Sequence, residues 1–531
     1  YIAIVSQPRA PKCDIEPDLQ KLVEDDSRGG RLTLYNTANG SATTLTSGTG
    51  NSSVSGVSWV SNNRIIFNTS PTNSSAKSID AYALWGMNID GSKKKKLFTL
   101  KQVQGRLASP RLTSLLPDEP SYVMVAINDR RGAVEDYYRL NIFTGSKRRV
   151  AMGPDIDNEE ALFDVIEKND GTPLAALGNL GDEWRIWRYY DAEDSWDVHF
   201  TSKCQTPTFF PLSGYEDKWL VSGQDITKSK TFNKDNDKSK LYLYDPDERS
   251  FELLYEDDTY DVGGPTGGCR TAIGGASIDE KTNELIYVAY YGEKPVRIFF
   301  DDDVQATNDM LEGAFPDQIV TPITWNKDRT KVVVSVSSSN NPGEYYYFDK
   351  ENMILTFLWD RSPWIDRSKL SKMTSIKYTA RDGLEVHGYL TTPINSDGKN
   401  LPMIVHPHGG PNVRDTYGYD PYVQFLASRG YAVFQPNFRG STGYGANHYI
   451  SANKQFGKTM QDDITDGVYY LIEQGVADKD RIAIFGASYG GYATMAGLTF
   501  TPDLYAAGIN YVGVVDLELL QEDSNRNSSR F

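Results

Sequence analysis

Along residues 1–350, apolar and aromatic positions alternate with polar ones in short runs closed by Gly, Ser, Asn or Asp. A period of two over a few residues describes half-buried strands, and Gly, Asn and Asp between the runs supply the turns. One compound signal recurs: an alternating run, then Asn or Asp, then a turn. It occurs at Leu34-Tyr35-Asn36, Gly86-Met87-Asn88, Arg139-Leu140-Asn141, Tyr189-Tyr190-Asp191, Leu243-Tyr244-Asp245, Phe299-Phe300-Asp301 and Tyr347-Phe348-Asp349, at intervals of 48 to 56 residues. Within the second period, which ends at Asn88, Val54–Val60 and Arg64–Asn68 flank a turn at Ser61–Asn63, and 82–87 leads to the marker. Several short strands per interval of about 50 residues predict one four-stranded blade each, and seven markers predict a seven-bladed β-propeller.

The pattern changes after Trp359–Trp364. Residues 377–380 and 385–393 read as strands around a turn at 381–384, and strands then alternate with helices. Strands are expected at 401–406, 431–436 and 481–485, and helices at 421–428, at 461–474 and after Ser488. This order predicts a mostly parallel sheet covered by helices, an α/β-hydrolase type of fold. The expected domains are 1–355, the propeller, and 356–531, the catalytic domain. Ile464, Val468, Leu471 and Ile472 fall on one helix face and are expected in the core; Asp462 and Asp463 in the first turn suit the helix dipole and are read as structural.

Three motifs carry chemistry. Gly486-Ala487-Ser488-Tyr489-Gly490-Gly491 stands between an expected strand and an expected helix, the context of a nucleophile elbow. Side chains at Gly486 and Gly490 would collide with neighbouring backbone, and Ser488 would be raised clear of the sheet. The Tyr489 N–H would point to where an oxyanion forms. His406-Pro407-His408-Gly409-Gly410-Pro411 follows the first buried strand; the Gly410 N–H is the expected second donor. Asn437–Gly445 is a Gly-rich loop, read either as substrate contact or as a turn packed under the sheet end.

Composition narrows the picture. The chain has 55 Lys and Arg against 71 Asp and Glu, a net charge of −16, which argues against nucleic acid as a partner. Lys93–Lys96, the one basic run, follows a turn sequence and reads as a solvated hairpin end. The acidic clusters Asp155–Glu160 and Asp257–Asp261 read first as water-facing loops, with a grip on a peptide's α-amino group from the propeller channel as the alternative. Cys13, Cys204 and Cys269 lack any Cys-x-x-Cys spacing, so no zinc site or disulfide framework is expected; one pair plus a free thiol stays open. No metal or cofactor is expected, and no apolar stretch is long enough to span a bilayer. The scattered Asn-x-Ser/Thr triplets assign no compartment. The start at Tyr1, inside an expected strand, is read as the result of processing or truncation.

His408–Pro411, Asn437–Gly445 and Gly486–Tyr492, in this order after a propeller, resemble the prolyl oligopeptidase family of serine peptidases, nearer its acylaminoacyl-peptidase and dipeptidyl-peptidase branches. The resemblance implies that Ser488 attacks a peptide carbonyl to form an acyl-enzyme and that the substrates are short peptides or chain ends. It also implies an Asp and a His beyond the elbow. All five histidines, His199, His387, His406, His408 and His448, precede Ser488, and Asp516 follows it too closely. The catalytic domain is therefore expected to be incomplete at its C-terminus, its Asp and His lying on a further or separate C-terminal fragment, and this chain alone to be inactive. The alternatives are a carboxylesterase and a propeller interaction module with an inactive hydrolase domain. Oligomeric state is left open, a homo-oligomer included.

Overall fold

The computed structural model describes residues 1–6, 30–47, 52–71, 83–99, 101–103, 106–108, 110–131, 134–154, 160–181, 183–203, 209–215, 218–224, 237–263, 275–279, 282 and 284–528. Cys13, Cys204, Cys269 and residues 155–159 of the first acidic cluster lie outside them.

Seven antiparallel sheets follow one another over residues 2–47, 52–99, 110–151, 160–203, 209–255, 275–299 and 319–360, each with its strands in sequence order. Among the described residues the first and sixth have three strands and the others four, the meander of a β-propeller blade. The marker residues explain themselves as turns. Asn141 Oδ1 accepts from Phe143 N (3.0 Å) and Thr144 N (2.9 Å), and Asp245 Oδ1 accepts from Asp247 N (2.9 Å) and Glu248 N (3.0 Å). A short side-chain acceptor there closes the turn that sends the chain into the next strand. In the sixth period the same chemistry has another result: Asp301 Oδ1 accepts from Asp303 N and Val304 N and caps the helix Asp302–Ala314. A helix thus stands where the four-stranded sheets begin their fourth strand.

By its contacts the chain divides into two compact units, Tyr1–Thr201 with Asp279–Glu284, and Ser202–Ile278 with Leu285–Phe531. In the first unit the core is built between successive sheets, as where Ile66 and Leu84 meet Val123, Val125 and Leu140. Buried Arg64 donates from Nη2 to Ile142 O (2.6 Å) and lies 4.2 Å over the Phe143 ring, joining the second sheet to the third. Lys93–Lys96 close the hairpin between Ala83–Asn88 and Lys95–Thr99, and Lys94 and Lys96 each lie 5.2 Å over Trp85.

The second unit holds the fifth to seventh sheets and a six-stranded sheet with its helices. The last strand of the seventh sheet, Ile354–Asp360, runs across the expected boundary at 355/356. The six strands are β1 (Met373–Thr379), β2 (Glu385–Thr391), β3 (Leu401–Val405), β4 (Ala432–Asn437), β5 (Ala477–Ala487) and β6 (Ala507–Tyr511). Their order is β1-β2-β4-β3-β5-β6: β1, β2 and β4 pair antiparallel, and the other neighbours pair parallel. Strands β4 and β3 are central, and β4 is buried along its whole length, which is why it begins as a continuous apolar run. The helix Thr459–Glu473 buries Ile464, Val468 and Leu471 in a core with Phe434, Ile482 and Ile484.

Asp462 and Asp463 hold the structure by ion pairing. Asp462 pairs with Arg381 (2.8 Å), while fully buried Asp463 takes Arg439 Nη2 on Oδ1 (2.7 Å) and Arg439 Nε on Oδ2 (2.8 Å). The Gly-rich loop 437–445 is buried along its length, so packing under the sheet accounts for it.

The second acidic cluster is likewise occupied. Asp257 Oδ1 accepts from Thr259 N (2.8 Å) and Oδ2 from Tyr290 OH (2.7 Å), and Asp261 accepts from Ser239 N (2.8 Å) and Gly445 N (3.0 Å). Asp257 and Asp261 serve the local structure and are neither free water-facing charges nor an amine grip.

Candidate active site

Strand β5 ends at Ala487, the helix Tyr489–Phe500 begins two residues later, and Ser488 between them has φ 56° and ψ −118°. A non-glycine residue with positive φ is strained and persists only where its surroundings over-determine it. Here they do. Ser488 N donates to Tyr511 O on β6 (3.1 Å), and Ser488 O accepts from Tyr492 N (3.0 Å) inside the helix. The side chain is exposed.

The glycines around it are required by contact. A Cβ on Gly486 would lie 2.3 Å from Gly490 O, one on Gly490 would lie 2.2 Å from Pro407 O, and one on Gly491 would lie 2.6 Å from Asn510 Oδ1. Strand, elbow and helix are thus packed backbone to backbone with no room for a methyl group. We expect Gly486→Ala to destabilise the domain by about 3 kcal/mol, the upper end for overpacking. Denaturant unfolding checks this; an unchanged midpoint would contradict the contact.

The segment His408–Pro411 abuts the elbow: a Cβ on Gly409 would lie 3.4 Å from Ser488 Cβ. Gly410 has φ 115°, and a Cβ there would lie 2.9 Å from Asn412 N. The Tyr489 N–H is the first of its helix and has no intrahelical acceptor. Neither it nor the Gly410 N–H donates to another backbone carbonyl among the described residues.

The histidines are engaged elsewhere. His406 Nδ1 lies 2.6 Å from Phe485 O, and the two rings stack at 4.9 Å. His408 Nδ1 lies 2.8 Å from Gly409 O and Nε2 lies 2.9 Å from Ser441 Oγ, with the ring stacked on Phe438. His387 meets Glu385 at 3.2 Å and stacks on Tyr444, His448 Nδ1 faces Ser441 O at 3.3 Å, and His199 lies in the strand Ser195–Lys203. Among the described residues no histidine is hydrogen-bonded to Ser488. Asp516 Oδ1 accepts from Leu519 N (2.9 Å) at the start of the helix Leu517–Ser528.

Burial lowers the pKa of His387 to about 4, of His408 to about 4 and of His448 to about 3, so all three are neutral at pH 7. Their folded values lie below the unfolded value near 6.5. Each therefore contributes stability that is present above about pH 6.5 and is lost as the pH falls toward 4. Buried Asp415, raised by desolvation to about 6, has the opposite sign, its contribution being lost as the pH rises through 6. Asp164, Glu167, Asp261 and Asp463 are raised by burial as well and share the sign of Asp415, so the histidines and the buried carboxyls act in opposite directions as the pH falls.

The sequence motifs led to Ser488, Gly486 and Gly490. They did not indicate Asn510, whose Oδ1 accepts from Gly513 N (2.8 Å) behind the elbow, nor Arg414, whose partners lie on the sixth propeller sheet. The Arg414 contacts join residues 123 and 122 positions apart, a distance only the fold closes.

Residues 417–527 match the prolyl oligopeptidase family. The dipeptidyl aminopeptidase BIII of Pseudoxanthomonas mexicana is 30% identical over 423 residues, 77% of this chain and 57% of that protein. The dipeptidyl peptidase family member 6 of Caenorhabditis elegans is 26% identical over 424 residues, 74% of this chain and 54% of that protein. The chain thus spans little more than half the length of these relatives. The acylaminoacyl peptidase of Pyrococcus horikoshii shares the fold with a TM-score of 0.59 at 18% identity, covering 92% of this chain and 74% of that one. A puromycin-hydrolyzing peptidase of Mycobacterium tuberculosis does so with a TM-score of 0.61 at 19% identity, covering 94% and 76%.

Proposed function

The chain belongs to the prolyl oligopeptidase family by its domain at residues 417–527, and from that premise we propose that it is the larger part of a serine peptidase that cleaves short peptides through an acyl-enzyme on Ser488. The observation that carries the reading is the exposed serine held at φ 56° between β5 and its helix. Such a turn brings Oγ to the sheet's end, where a substrate carbonyl can reach it. The Tyr489 and Gly410 N–H groups are the oxyanion donors, two fixed dipoles aimed at charge that develops only as the tetrahedral intermediate forms.

The reaction also needs an imidazole to take the Ser488 proton and a carboxylate to orient it. We assign both to a further segment, on the same polypeptide or on a separate fragment, that adds to the free edge of β6. That strand pairs only with β5 among the described residues, and Ile509 and Val512 beside the elbow are 60% and 70% exposed. The propeller would limit substrates to short peptides.

A fluorophosphonate probe tests the reading. The full-length protein is expected to be labelled at Ser488 and this chain alone only weakly. Peptide p-nitroanilides are expected to be turned over by the full-length protein. Turnover of p-nitrophenyl esters alone would favour a carboxylesterase, and a full-length protein that is not labelled would remove Ser488 from the role.

A further inference from the structure

We infer that Arg414 is a positioning residue that makes the oxyanion site depend on the seating of the sixth propeller sheet against the hydrolase fold. The inference rests on the reading of Gly410 as an oxyanion donor. Gly410 opens a loop, 410–415, that is gripped from two sides. On one side the hydrolase domain holds it: Asn412 Nδ2 donates to Gly440 O (3.0 Å), Thr442 N to Val413 O (3.0 Å) and Asp415 N to Asn437 Oδ1 (2.8 Å). On the other side Arg414 reaches the turn that joins Leu285–Tyr291 to Pro295–Phe299. Its Nη1 donates to Tyr291 O (3.0 Å) and its Nη2 to Gly292 O (3.0 Å).

The guanidinium is half-buried and held on several sides, its Nη1 bond to Tyr291 O lying at the surface. It sits 4.2 Å over the Tyr444 ring, its Nη2 also donates to Tyr444 OH (2.7 Å), and Tyr444 OH accepts from Asn437 Nδ2 (2.8 Å) as well. Gly443 makes room for it: a Cβ there would lie 2.7 Å from Arg414 Nη1. One glycine of the Gly-rich loop thus has its reason in this contact. The same turn is docked a second time, by Tyr389 OH on Glu293 O (2.8 Å).

The chemistry of the partners indicates what the residue does. Among the described residues Arg414 forms no ion pair, and its acceptors on the propeller side are main-chain carbonyls. Carbonyl acceptors report where a backbone is, and a planar fork satisfied by two of them in succession is sensitive to position and direction. Without that fork the outer side of the loop is released four residues from Gly410, whose positive φ already places it in a region open to glycine. An oxyanion donor that is free to move loses its preorganisation, and the loss falls on the transition state and not on substrate binding. Displacement of the sixth sheet would have the same effect as removal of the side chain.

The test uses the full-length protein with Arg414→Met and Arg414→Lys. For Arg414→Met we expect kcat to fall about 100-fold, the scale of one lost oxyanion donor, with KM changed less than about threefold. Affinity for a peptide boronate, which mimics the tetrahedral state, should fall by a similar factor. Arg414→Lys, a point charge without the fork, should recover little. Wild-type kcat in Arg414→Met, or a loss found wholly in KM, overturns the inference and leaves the peptidase reading intact. Amide hydrogen exchange over residues 410–415 gives a readout that needs no turnover: Arg414→Met should accelerate it about tenfold or more, and unchanged protection overturns the inference. Accelerated exchange in a protein without peptidase activity would support the positioning role and remove the peptidase reading.

Discussion

Ser488→Ala is expected to abolish fluorophosphonate labelling and, in the full-length protein, to lower kcat for a peptide p-nitroanilide by about 10⁶-fold. Alanine removes the one atom that forms the covalent bond, while the flanking glycines and the hydrogen bonds of the Ser488 main chain keep the elbow as it is. The Tyr489 and Gly410 N–H groups would remain, and such donors with binding alone sustain on the order of 10³ to 10⁴ over the uncatalysed rate. A small residual activity with unchanged folding is therefore the expected signature. Circular dichroism and the denaturation midpoint should match the wild type, since an exposed hydroxyl contributes little burial. Full labelling of Ser488→Ala would show that another nucleophile reacts.

The largest effect on stability is expected from Asp463→Ala, a loss of about 3–5 kcal/mol. Asp463 is fully buried at the start of the helix Thr459–Glu473 and accepts Arg439 N (2.9 Å), Nε (2.8 Å) and Nη2 (2.7 Å). Removing the carboxylate leaves the Arg439 guanidinium, itself nearly inaccessible, with only Asp382 at its outer side (2.8 Å). A buried guanidinium that loses its inner carboxylate and keeps only a half-exposed outer one is poorly compensated, so truncating one partner is severe even where an apolar replacement of both would be tolerated. The loop 437–445 hangs on this contact, and with it Ser441, Thr442 and the inner support of the 410–415 loop. Urea unfolding of the hydrolase domain should show the loss, and a double variant Asp463→Leu with Arg439→Met should recover part of it. A loss under 1 kcal/mol for Asp463→Ala would mean that solvent reaches the pair.

The two predictions differ in how far they were legible. Ser488 stood out because its chemistry is local: strand, turn and helix are neighbours in sequence, and the glycines that permit the turn lie within two residues of the serine. Asp463 was recognised as structural, but a helix dipole was the only partner the sequence offered. The ion pair with Arg439 joins a loop to a helix 24 residues away, and that distance is closed by the fold. The cluster at Asp257–Asp261 shows the same limit. Its charge suggested water or an amine; hydrogen bonds to Ser239, Tyr290 and Gly445, the last 184 residues distant, occupy it.

What the sequence by itself determined was whatever repeats or closes locally: the period near 50, the Asn and Asp turns that mark it, the alternation of strand and helix after residue 370, and the elbow at Ser488. Tertiary structure decided the rest. It placed β4 and β3 at the centre of the sheet and β6 at its edge, set the helix Asp302–Ala314 after the third strand of the sixth sheet, and gave Arg414 its carbonyls on that sheet. The reason is physical: turn and strand preferences act over a few bonds, whereas the partners of a buried charge are chosen by whichever segments the collapsed chain brings within 3 Å.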